Sequence, residues 1–95
     1  MAAYLIVSVH VSDPEQFKRY SALAPAVVSK FGGRYLVRGG RYEVVEGAAL
    51  GERQVVIEFP DYATAKRFFD SAEYAKAKAE RLAAAQFNGI IVEGV

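Results

Sequence analysis

The chain has 95 residues, 53% of them hydrophobic and 13% aromatic, which supplies one core and no second, so residues 1–95 read as a single globular domain. Twelve basic against eleven acidic residues leave a net charge of +1, too weak a field to gather nucleic acid or an anionic membrane, and neither is expected as a partner. With no cysteine, no basic leader and no apolar run of about 18 residues, disulfides, thiolate chemistry and a membrane span are excluded, and a cytoplasmic location is the expectation.

Tyr4 to Val11 alternates as a strand, with Leu5, Val7, Val9 and Val11 on one face and Tyr4, Ile6, Ser8 and His10 on the other. A helix follows, with Asp13 as its N-cap, Pro14 in the first position and Gln16 placed for a capping box. Phe17, Tyr20, Ala24, Val27 or Val28, and Phe31 form its apolar stripe. Pro25 cannot donate to the Ser21 carbonyl and predicts a kink, and Gly32-Gly33 ends the helix.

Arg34 to Arg38 reads as a second strand, with Tyr35 and Val37 on one face and Arg34, Leu36 and Arg38 on the other. Gly39-Gly40 predicts a bulge, after which Tyr42 to Glu46 resumes an extended run and Gly47 to Gly51 turns a hairpin into the strand Arg53 to Phe59. Asp61 caps a further helix carrying Ala65, Phe68 and Phe69, Ser71 caps its continuation, and Gln86 to Val92 is the last strand.

The order β-α-β-β-α-β predicts an α+β, ferredoxin-like fold: a four-stranded antiparallel sheet with helices on one face. The drier faces belong under the helices, and the mixed faces carrying His10, Arg38 and Glu58 look outward. Such an open face, with Tyr4, Ile6, Leu36 and Val56, predicts a homodimer in which two sheets enclose a dimeric α+β barrel with a partly polar lumen.

His10 is the single histidine and the candidate proton shuttle, against the plainer reading of a polar residue at a strand end. Without a second histidine or a cysteine it makes no metal site, and no motif points to a cofactor. Arg38, Glu46, Arg53 and Glu58 either pair among themselves or line a pocket. In the second reading Arg38 and Arg53 clamp an anionic group, while Glu58 or Glu46 moves a proton. Ser71 and Tyr74 offer hydroxyls to a ligand or serve as a helix cap and an aromatic anchor.

Gly-Gly-Arg-Tyr-Leu-Val-Arg-Gly-Gly at 32–40, followed by a Glu-Gly, an Arg and a Glu-Phe-Pro strand end, resembles the family called domain of unknown function 1330. Asp13, Tyr20, Ser71, Tyr74 and Arg81 fit the same pattern, so the resemblance covers nearly the whole chain. It implies a dimeric α+β barrel, names no reaction, and favours the pocket reading of the charged residues. Two functional readings stand: a cofactor-free enzyme acting by acid/base chemistry on a small organic acid or carbonyl compound, with His10 and Glu58 as its catalytic groups, and a non-catalytic small-ligand-binding or stress-related module.

Overall fold

Period-two alternation in the first strand lays out the molecule. In the computed structural model, which describes residues 1–95, Ala3, Leu5, Val7 and Val9 are buried on one face of β1 (Ala3–Val11), while Ile6 and His10 are exposed on the other. β1 is central, pairing antiparallel with β3 (Arg53–Phe59) on one side and β4 (Ala85–Glu93) on the other. β2 (Arg34–Arg38) joins β3 to complete the order β2-β3-β1-β4, the ferredoxin-like arrangement. Three helices, α1 (Pro14–Lys30), α2 (Tyr62–Asp70) and α3 (Ala72–Arg81), cover the buried face and leave the other bare. Overall extents of 32 × 31 × 17 Å are those of a slab two layers thick.

The helix boundaries have local causes. Asp13 accepts from the Gln16 amide at 3.2 Å and Asp61 from the Thr64 amide at 2.7 Å, each satisfying an N–H that the first turn leaves without a partner. Ser71 separates α2 from α3: its hydroxyl donates to the Phe68 carbonyl at 2.8 Å and accepts from the Tyr74 amide at 3.0 Å. α1 is unbroken at Pro25, which has no N–H, so the Ser21 carbonyl is left without its helical donor.

The sealed part of the core is aromatic. Phe68 stacks on Phe59 at 4.9 Å between centroids and on Tyr74 at 4.7 Å, and all three are 1% exposed.

Two expectations are overturned. Tyr42 to Glu46 forms no strand: residues 39–52 are an irregular, almost wholly exposed loop, because β3 begins only at Arg53 and offers that segment nothing to pair with. The irregularity in β2 lies between Tyr35 and Val37 rather than at the glycine pair, since Val37 stands opposite Val56 and Arg38 opposite Val55. One extra residue flips the strand. Val37 therefore shares the open face with Val56, and Arg38 joins Tyr35 on the covered face instead of looking outward with His10 and Glu58.

The open face and the loop leave much apolar surface bare. Ile6, Leu36, Ile90 and Val92 on the sheet and Val45 and Leu50 in the loop are all exposed. The total accessible area is 5954 Å², against roughly 5,400 Å² expected of a compact monomer of this mass.

Candidate functional site

A narrow cleft opens between α1 and the sheet, with a cavity volume of about 30 Å³, so a ligand larger than a water or two must part the helix from the sheet to enter. Its walls are largely apolar, with Phe17 and Tyr20 from α1, Val55 and Ile57 from β3 and Phe87 from β4, and two cations, Arg38 and Arg53, line it as well. Its lining combines an apolar body with a few convergent polar groups.

Local backbone chemistry fixes both arginines. The β2 bulge turns Arg38 under α1, where its guanidinium lies 4.6 Å from the Tyr35 ring centroid and donates to the Ser21 carbonyl at 3.1 Å. That carbonyl is the one Pro25 leaves free, so the proline supplies the acceptor that holds the arginine. Arg53 lies 5.9 Å from the Phe17 centroid and against Gly39, whose positive φ of 69° and missing side chain make room for the guanidinium. Neither arginine has a carboxylate within ion-pairing distance, whereas Arg34, four residues before Arg38 on the open face, pairs with Glu58 at 2.7 Å.

Behind the cleft runs a chain of polar groups. Tyr20 and Tyr74 hydroxyls are 2.8 Å apart, and the Arg81 Nε lies 3.4 Å from the Tyr74 oxygen. Arg81 is only 4% exposed and has no acidic partner, its guanidinium resting 3.6 Å from the Phe87 centroid with the Tyr20 and Tyr74 rings alongside. Burial, reinforced by Tyr74, drives the Tyr20 phenol well above its ordinary range, so it stays a neutral hydroxyl. Tyr35 shifts the same way, chiefly through burial, with Arg38 opposing.

The sequence-derived candidates divide. Arg38 and Arg53 meet in the cleft. His10 does not: it lies at the end of β1 on the open side, Nδ1 3.0 Å from Glu52 Oε2. Glu52 also accepts from the Val11 amide at 2.9 Å, and that bond above all, then its own amide and His10, lowers its carboxyl to about 2. Glu58 pairs with β1 at Tyr4, six residues from His10, so roughly 20 Å of strand separates the two and they share no substrate. Glu46 is exposed in the loop without an ion pair. Ser71 is occupied at both helix ends, and Tyr74 is a buried anchor that reaches the cleft only through Tyr20.

Four residues escaped the sequence reading as members of a site. Glu52 and Arg34 are recognisable only once cross-strand register is known. Tyr20 and Arg81 had a visible signal, a phenol within an apolar helical stripe and an arginine in an alanine-rich helix, but their meeting depends on how α1 packs against α3.

A family model described as "Domain of unknown function (DUF1330)" matches residues 2–95. No curated protein matches the chain. Among solved structures, a protein of unknown function from Rhodopseudomonas palustris superposes with a TM-score of 0.80 at 16% identity, over 99% of this chain and 82% of that one. SnoaB, a cofactor-independent oxygenase from Streptomyces nogalater, gives a TM-score of 0.68 at 12% identity, over 99% and 93%. A dimeric ferredoxin-like protein of unknown function from Jannaschia sp. CCS1 gives 0.66 at 13% identity, over 99% and 100%. At these identities the likeness is one of fold.

Proposed function

The chain belongs to the DUF1330 family, and from that premise we propose a homodimeric small-molecule-binding protein whose cleft takes a small organic acid, with the carboxylate on Arg38 and Arg53. One observation carries the reading: two guanidinium groups line a single apolar cleft and neither has an acidic partner, although Arg34 on the same strand has one. A cation without a counter-ion gains more from a carboxylate than one already paired, and the planar fork suits bidentate capture.

The probe is 4-isopropylbenzoate, followed by NMR titration. Arg38→Met and Arg53→Met should each weaken binding about tenfold or more, the worth of a charge-assisted hydrogen bond, and Arg34→Met should leave it unchanged. A probe that never saturates, or an Arg34→Met loss as large as the other two, would end this reading.

The partner copy belongs on the open sheet face, where Ile6, Leu36, Ile90 and Val92 form a bare apolar surface, and a structural neighbour of the same fold is described as dimeric. Sedimentation should show a dimer at micromolar concentration that Ile90→Asp converts to monomer; a monomeric wild-type protein refutes the assembly.

A second reading, proton transfer by His10, draws on the Glu52 contact. A carboxylate on Nδ1 orients the ring and leaves Nε2 as the basic atom. Nitrogen NMR should then find the neutral ring protonated on Nδ1, and the opposite tautomer would remove the physical basis for a shuttle.

A further inference from the structure

We infer that the cleft is built for an acid that also carries a carbonyl-type oxygen, and that Tyr20 donates the hydrogen bond that selects it. The inference rests on the organic-acid reading above and deepens it.

Arg81 has donors alone, so its Nε–H occupies a lone pair of the Tyr74 oxygen. Tyr74 is 1% exposed, and its hydroxyl meets no other protein group than Tyr20 and Arg81. If Tyr20 donated to Tyr74, the Tyr74 proton would be buried without an acceptor, a cost of the order of a lost hydrogen bond in a dry site. The arrangement that satisfies every buried group runs one way: Arg81 to Tyr74, Tyr74 to Tyr20. Tyr20 then has its own proton to give, and no protein acceptor takes it. Tyr20 lines the cleft, and the free proton is taken to point into it.

The buried cation at the far end reinforces this direction. Each hydrogen bond in such a chain polarises the next, so the terminal O–H is a better donor than an isolated phenol. Burial meanwhile keeps Tyr20 in its neutral, donating form. The cleft thus presents two recognition elements of different chemistry: a guanidinium pair that asks for a carboxylate, and a neutral donor that asks for an uncharged acceptor such as a ketone or quinone oxygen. Arg81 and Tyr74 are positioning residues, acting on the ligand through Tyr20.

The test pairs 4-acetylbenzoate with its near isostere 4-isopropylbenzoate, which lacks the acceptor. Wild-type protein should bind the ketone about 3- to 10-fold more tightly, the value of one hydrogen bond made in a dry site. Tyr20→Phe should abolish that preference, read as the ratio of the two affinities within the variant, and Tyr74→Phe should reduce it in part. Infrared spectroscopy provides a reading that needs no variant: the ketone stretch of bound 4-acetylbenzoate should move to lower wavenumber than in water-free solvent, and return in Tyr20→Phe. Equal affinities in the wild type, an unshifted ketone stretch, or a preference that survives Tyr20→Phe would overturn the inference and leave the organic-acid reading standing. Failure of both compounds to bind would overturn the two together.

Discussion

The helix-covered face of the sheet has two halves that treat empty space differently. Under α2 and α3 it is closed by the Phe59, Phe68 and Tyr74 stack, with Ala65 and Ala77 small enough to let the helices settle. Under α1 it is left ajar: only Phe17, Ala24 and Val28 of that helix are buried, and two arginines stand where further aromatic side chains would have completed the seal. One half is closely packed, and the other carries a narrow cleft lined in part by two unpaired cations. Interiors reach crystal-like density wherever side-chain volume allows, so a gap held open by charged groups is informative about use.

The largest test of that contrast is a pair of truncations. Phe68→Ala should lower unfolding free energy by about 3–5 kcal/mol, as for other buried aromatic residues, whereas Arg53→Met should stay within about 0.5 kcal/mol of wild type while losing probe affinity. Urea denaturation measures both. If Arg53→Met costs as much as Phe68→Ala, the cleft is core and the contrast is broken.

Pro25 sharpens the comparison, because it joins helix stability to cleft geometry. Pro25→Ala restores an N–H for the Ser21 carbonyl and should raise stability, with about 3 kcal/mol as the ceiling set by proline in a helix interior. The same change removes the acceptor that holds Arg38, so 4-isopropylbenzoate affinity should fall several-fold. A variant that is more stable and binds equally well would show that Arg38 is placed by the Tyr35 ring alone.

What the sequence disclosed follows the range of the forces involved. Asp13, Pro14, Asp61 and Ser71 act within one helical turn, and all four are where their local pattern places them. The alternation of β1 is likewise a property of adjacent residues, and it fixed which face is dry. The β2 bulge is different: Leu36 and Val37 carry no local mark of it, and it exists because Tyr35 and Val37 must both meet β3 partners. That single register shift moved Arg38 from the expected outward face into the cleft. Tyr42 to Glu46 misled for the converse reason, since apolar alternation states a strand's willingness to pair and says nothing of whether a partner is within reach. The Glu52 contacts and the link from Tyr20 to Tyr74 were illegible because their members lie far apart in sequence.

The smallest predicted effect concerns how the exposed loop re-enters the sheet beside the cleft. Gly51 passes so close to the Val9 carbonyl that a side chain would collide with it, and Glu52 then grips the Val11 amide one residue before Arg53. The Glu52 carboxyl is lowered from an ordinary 4.5 to about 2, first by that amide. A group depressed in the folded state contributes stability that is complete above its unfolded value and is lost as pH falls toward the folded one, so the window runs from about 4.5 down to about 2. Asp61 and Glu73 are lowered too and add to the same acid slope, but both remain in a Glu52→Gln variant. The difference between the urea midpoints of the two proteins should therefore shrink as pH drops through this window, with the wild type losing more. The Val11 amide resonance should titrate with it, near 2 rather than near 4.5. Parallel midpoints, or a Val11 resonance that moves in the ordinary carboxylate range, would mean that the loop is not tethered there and that Arg53 owes its position to the packing against Phe17 and Gly39.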